Sequence, residues 1–365
     1  RGVNQEGMAM ARFPLFDCDV HQRLKSPKDL RPYLPRAYQD DLDQFGLHMP
    51  SPGYPNGGDR GYRADAWPQD GAMVGSDYEL MRAQLLDPYD VRYAVLLGQE
   101  LRPLSTLPDA DYAASIARSY NDLLIEQWLS KDPRLLGAIL VATQDPQRAA
   151  QEIRRVGERR DMVEVLLSDG APMPYGKRYY DPIYQACADL GLPVAIHTGS
   201  EGPSPVGWGS YYVEHRQARP MGYMAHIASM VFEGLFERFP ALRVVFIEGG
   251  YVWLPTYLWR LDSDWRGLRH QTPWVKRAPS EYVFEHCRFT SQPIETVDRP
   301  EKLLTVFEWA QAERTLMFAS DYPHWDFDSP VQAMPPMADD LRRRIMYQTA
   351  SELYGLPIDS GVKAL

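Results

Sequence analysis

The sequence predicts an α/β chain folded as a (β/α)8 TIM barrel, and three observations lead there. Eight short apolar runs recur along its 365 residues: FPLFDCDVH, VRYAVLLG, LLGAILVAT, MVEVLLSDG, LPVAIHTGS, LRVVFIEGG, HCRFTSQP and TLMFASDYPH. Most are separated by helical patterns, such as residues 111–130 and 147–160, and DPIYQACADLG at 181–191 ends in the glycine that often closes a helix. Nearly continuous apolar strands alternating with helices indicate a parallel sheet. A barrel of this kind needs roughly 250 residues, so the surplus belongs to insertions and a C-terminal helical extension.

Residues 1–11 read as a leader, leaving 12–365 as one barrel domain. The first strand, from Arg12 to Phe16, runs into FDCDVHQ. Strand side chains alternate faces with period two, so Asp17, Asp19 and His21 point one way and Cys18 the other. Two acids and an imidazole at the end of an apolar run are costly to bury uncompensated, and a divalent metal would compensate them. An acidic strand end in solvent is the plain alternative. The stretch LHMPSPGYPNGGDRGYRADAWPQDGAMVG, about residues 47–75, is rich in Pro and Gly and lacks an apolar period. It is a long loop. Following the first strand, it would lie on the catalytic face and cover the substrate.

Later strands end the same way. The fifth ends in His197, the sixth in Glu248 and the eighth in Asp321, each where apolar residues give way to Gly, Pro or Ser. Barrel enzymes place their active sites at these ends. Any one residue could be a cap, but four strands ending alike point to a site. Carboxylates and imidazoles without thiolates suit one or two ions of zinc, iron or manganese.

The ordered set DxDxH, PVAIHTG, RFPALRVVFIEGG with WLP, and FASDYPHWD resembles the amidohydrolase superfamily, in the branch that includes aminocarboxymuconate-semialdehyde decarboxylase. The resemblance runs from about Phe13 to Tyr354. It implies a metal-dependent barrel, commonly dimeric, that hydrolyses esters, lactones and amides or decarboxylates aromatic acids without oxygen. It assigns Asp19, His21, His197 and Asp321 to the metal, with Asp19 replacing the first histidine of an HxH pair and Asp321 also relaying a proton. The departure is Glu248, where that branch has a histidine that donates or accepts a proton. A carboxylate accepts protons and can bridge two cations. The expectation is therefore a hydrolase: metal-activated water attacks an ester, lactone or thioester carbon, less readily an amide. Glu248 would be base or bridging ligand. The alternative is a non-oxidative decarboxylase of an aromatic or unsaturated acid, with one metal and His324 in place of the missing histidine. A scaffold on a retired barrel is the third class, and the near-complete ligand set speaks against it.

Among other residues, His324 is expected to line the pocket. His226 lies in an apolar helical pattern and reads as a core histidine, yet with His215 it would be the nearest supply of imidazoles for a second ion. Tyr251, Trp253, Trp208 and Tyr211 could form an aromatic pocket or a dimer contact. Lys276 and Arg277 could meet an anionic substrate or occupy a solvated turn.

A formal charge of −10 argues against nucleic-acid and anionic-membrane partners. No apolar run approaches a membrane span. Three cysteines without paired spacing suggest reduced thiols. A cytoplasmic homodimer acting on a small molecule is the expectation, and no phosphate-binding loop, dinucleotide fingerprint or serine elbow competes with it.

Overall fold

All eight apolar runs are strands: β1 Leu15–Val20, β2 Val91–Leu96, β3 Leu135–Leu140, β4 Met162–Ser168, β5 Val194–His197, β6 Val244–Ile247, β7 Cys287–Thr290 and β8 Leu316–Met317. The computed structural model describes residues 13–50, 54, 61–199, 207 and 209–358. Each strand pairs in parallel with the next, in sequential order. The residues after β8 close the circle onto β1. Cys18 N donates to Phe318 O at 3.0 Å, His21 N to Tyr322 O at 2.7 Å and Asp321 N to Asp19 O at 3.0 Å. Asp19, His21 and Asp321 thus share one seam of the barrel.

Buried β1, β3, β4, β5 and β6 explain why the apolar runs hardly alternate, since both faces of a barrel strand are covered. The helices start where their caps predict. Asp109 accepts from Asp111 N and Tyr112 N ahead of the helix Ala110–Leu124, and Asp145 with Pro146 opens Pro146–Val156. Gly191, at φ +69°, ends Asp181–Leu190. Short helices from Asp339–Arg343 to Thr349–Tyr354 form the C-terminal extension.

Residues 1–11, expected as a leader, lie outside the described residues. The described part of the 47–75 insertion folds over the strand ends. Tyr62 bridges to His324, Arg63 N donates to Pro323 O at 2.9 Å, and Tyr54 Oη donates to Gly209 O at 2.8 Å. It therefore touches the loops that follow β8 and β5. No helix among the described residues is long and apolar enough to cross a membrane.

Candidate metal centre and active site

At the C-terminal ends of β1, β5, β6 and β8, the acids and imidazoles meet in a buried cluster. Asp19, His21, His197 and Glu248 each offer a ligand atom within 4.8 Å of the others, and His21, Asp321 and His324 form a second such group. The two share His21, so they are one continuous set. His21 Nε2 lies 3.1 Å from Asp19 Oδ1 and 2.9 Å from Asp321 Oδ1. His197 Nε2 is 3.5 Å from Asp19 Oδ2 and 3.6 Å from Glu248 Oε2.

These contacts are close without being hydrogen bonds. Both carboxylate oxygens of Asp19, both ring nitrogens of His21 and Asp321 Oδ2 lack a hydrogen-bond partner among the described residues, although Asp19, His21 and Asp321 are fully buried. Buried polar atoms are rarely left so. Oxygen and imidazole donors gathered in this way fit a divalent cation, and the residues that would hold it are Asp19, His21, His197 and Glu248, with Asp321 and His324 joined to them through His21.

Electrostatics separates the acids. Burial, with Asp321 and Glu248 nearby, pushes Asp19 well above the usual carboxylate range. Burial raises Asp321 too, and His324, whose Nδ1 contacts Asp321 Oδ1, pulls the other way. Burial lowers His21 and His197 well below an ordinary imidazole, so both present neutral nitrogens. Glu248 is the exception. Burial would raise it, but Arg219, His197 and Arg102 together hold it well below the ordinary range. Arg219 Nη1 pairs with Oε1, while Arg102 Nη1 lies 3.4 Å from Oε2.

Glu248 and Asp321 also have left-handed backbone, at φ +62° and +57°. Such a conformation costs a non-glycine residue roughly 1–2 kcal/mol and is typical of functional sites. Here it turns each side chain inward as its strand ends. Thr290 Oγ1 fixes the Glu248 turn by accepting from Glu248 N at 3.1 Å.

Other expected residues fall elsewhere. Asp17 is not in the ligand set. Its Oδ1 accepts from Ser320 N at 2.9 Å and Asp19 N at 3.3 Å, tying β1 to the loop after β8. His226 is a core histidine: Nε2 is 2.7 Å from Asp169 O, Nδ1 is 3.2 Å from Tyr175 N, and the ring stacks on Tyr175. His215 packs near Tyr54 and Tyr212 and joins neither group of potential ligands. His324 lies over the cluster, between the rings of His21 and Tyr62.

Tyr251 is fully buried, its hydroxyl 2.7 Å from Thr315 Oγ1, so it packs the barrel wall instead of a pocket. Trp253 gives its indole N–H to the carbonyls of Gly249 and Gly250. Trp208 lies outside the described residues, and Tyr211 is exposed. Lys276 and Arg277 pair with Glu237 and Glu285 on the surface.

Sequence reasoning missed Arg102, Arg219 and Tyr62. Arg102, in the turn after β2, and Arg219, at the start of a helix, carry no periodic signal. One clue was available, because a glutamate ending an apolar strand is buried and requires a basic partner.

A family model described as amidohydrolase matches residues 16–356. The chain belongs to the amidohydrolase family. Among its relatives, a gamma-resorcylate decarboxylase of Polaromonas sp. is 23% identical over 315 residues, covering 78% of this chain and 93% of that protein. The solved 5-carboxyvanillate decarboxylase of Sphingomonas paucimobilis is 21% identical with a TM-score of 0.68, over 94% of this chain and 99% of that one. A Polaromonas dihydroxybenzoic acid decarboxylase, solved with bound manganese and the inhibitor 2-nitroresorcinol, is 21% identical with a TM-score of 0.65, over 94% and 97%.

These relatives overturn the expected hydrolase, including its thioesterase form. The expectation took the loss of the sixth-strand histidine as the loss of the proton donor and made Glu248 a base or a bridge between ions. In this amidohydrolase Glu248 is an anion paired with Arg219 and Arg102 that also offers an oxygen to the buried cluster. Burial favours a held proton on both Asp19 and Asp321, and Asp321 is the one in contact with His324.

Proposed function

We propose that this enzyme is a metal-dependent, non-oxidative decarboxylase of an aromatic carboxylic acid. The observation that carries the proposal is Asp321: a fully buried acid 2.9 Å from His21 Nε2 and in contact with His324 at the mouth of the barrel. The relatives named as decarboxylases of hydroxylated aromatic acids support the same chemistry. Manganese in a solved relative supports a divalent ion here, held by Asp19, His21, His197 and Glu248, with Asp321 joined to them through His21. The three cysteines are buried free thiols, which suits a reducing compartment such as the cytoplasm.

A bound ion would supply positive charge toward an anionic substrate. Asp321 delivers its proton to the ring carbon that carries the carboxylate. That carbon becomes tetrahedral, its bond to the carboxylate breaks, the electron pair returns to the ring and CO2 leaves. His324, in contact with Asp321 Oδ1, restores the proton to Asp321. Glu248, fixed by Arg219, keeps an anion beside His197 throughout. Tyr62 and the insertion close over His324 and limit water.

The test is a panel of ortho-hydroxylated benzoic acids with manganese-loaded protein in D2O, followed for CO2 release and deuterium in the product. The proposal expects one deuterium on the carbon that lost the carboxylate. No CO2 from any member, with metal bound, would reject it.

A further inference from the structure

Between β6, which ends in Glu248, and β8, which leads to Asp321, β7 brings an amide to the mouth of the barrel. Phe289 stacks on Phe246 and meets Tyr251 and Trp253 edge-on, and Phe246 in turn lies against Tyr223 of the helix Arg219–Phe232. Phe289 therefore faces the surrounding helices. Strand side chains alternate, so Thr290 faces the barrel axis and Gln292 faces the same way, one layer nearer the mouth. The strand geometry reaches that far: Ser291 N still donates to Met317 O of β8, at 2.9 Å.

Gln292 is fully buried. Its Nε2 donates to Asp326 O at 3.1 Å. Only the NH2 of an amide can face a carbonyl, which leaves Oε1 as an acceptor turned the other way. Oε1 has no hydrogen-bond partner among the described residues, a rare state for a buried atom. Gln22, a comparable buried amide just after β1, uses both ends: Nε2 meets Tyr120 Oη and Oε1 accepts from Gly98 N at 3.1 Å. The Gln292 amide is also held still. Ser291 Oγ accepts from Ala319 N at 3.1 Å on one side, and Asp328 Oδ2 accepts from Ile294 N at 3.1 Å on the other. Asp326 is itself paired with Arg216, from the helix Tyr212–Gln217 that follows β5.

We propose that Gln292 is a specificity residue, whose Oε1 accepts a hydrogen bond from a ring hydroxyl of the aromatic acid bound at the mouth. The proposal rests on the decarboxylase reading for its substrate class. A buried, rigid acceptor selects a hydroxyl because the hydroxyl donates to it, whereas an acid lacking that group leaves it unpaired. A methyl ether or a second carboxylate at the same place brings an oxygen without a proton against Oε1, so both are disfavoured. The chemistry selected is a phenolic O–H.

Calorimetric binding to manganese-loaded protein tests it. The probes are benzoate, 2-hydroxybenzoate and 2,3-, 2,4-, 2,5- and 2,6-dihydroxybenzoate, with CO2 release followed on the same samples. In wild type at least one added hydroxyl should tighten binding about tenfold or more. Gln292→Leu should lose most of that gain while binding benzoate as wild type does. Gln292→Met repeats the comparison if the leucine variant melts early. A gain kept in both variants, or no gain from any hydroxyl in wild type, would overturn the role. An equal loss for benzoate would overturn it too, marking Gln292 as packing alone. If the binding pattern holds but no acid releases CO2, Gln292 stands as the reader of the hydroxyl and the decarboxylase reading falls.

Discussion

The mouth of the barrel and its wall both bury acids and histidines, but they treat them differently. In the wall, His226 bonds at both nitrogens, Asp17 holds the Ser320 amide, and Glu164 on β4 accepts from Tyr354 Oη at 2.7 Å. At the mouth, the atoms of Asp19 and His21 converge without hydrogen bonds among the described residues. Asp17 and Asp19 make the contrast sharpest, standing two residues apart on β1 and both fully buried: one oxygen of Asp17, like one of Glu164, is paired, and neither oxygen of Asp19 is paired among the described residues. A partnered buried group builds the fold, whereas several unpartnered ones facing a point mark a site.

The largest expected effect comes from emptying the mouth. Asp19→Ala or His197→Ala should lower bound manganese toward zero per chain and abolish turnover, with melting near wild type in metal-free buffer. Elemental analysis of protein purified without chelator measures it, and full metal retention in both variants would remove these residues from the ligand set. Asp321→Asn comes next. With Asp321 as the proposed proton donor, its loss should cut kcat by about 10²–10⁴-fold, and a loss under tenfold in steady-state assays of metal-loaded protein would assign the proton to another group.

How far each region was legible follows from the same contrast. The eight strands, and the acids and imidazoles that end β1, β5, β6 and β8, could be read because apolar period and breaking residues are local. His226 was separable from the ligands for the same reason, since it sits inside an apolar helical pattern. Glu248 was located, but not its partners: Arg102 reaches it from the turn Gln99–Thr106 and Arg219 from the start of the helix Arg219–Phe232. Its pairing is invisible in one dimension. Tyr251 was misplaced because a tyrosine after a strand looks the same whether it turns to the pocket or to Thr315.

Glu248→Gln separates clamp from ligand. Breaking a buried ion pair by removing one partner costs about 3–5 kcal/mol, so thermal melting should fall markedly even without metal. Replacing Arg219 with Met in that background should recover part of the loss, because the stranded charge is gone. If Glu248→Gln melts like wild type and loses only metal, Glu248 belongs with Asp19 and not with the partnered residues of the wall.

The smallest effect tests the wall by pH. Burial raises the Glu164 acid to about 7, against an ordinary value of 4.5, and Tyr354 Oη opposes the rise. The folded state thus binds the proton more tightly than the unfolded chain. The resulting stabilisation is complete below pH 4.5 and is lost as pH climbs through 7, on the order of 3 kcal/mol across the window. Glutamine copies the neutral acid and can still accept from Tyr354. Glu164→Gln should therefore gain on wild type steadily from pH 4.5 to 7.5 in denaturant titrations, and level off above. Asp17, also raised to about 7 by burial, and Asp328 titrate in the same window, but they act on both proteins and cancel in the difference. A difference that stays flat with pH would mean that Glu164 is already ionised in the fold, with its charge met as fully as that of Glu248.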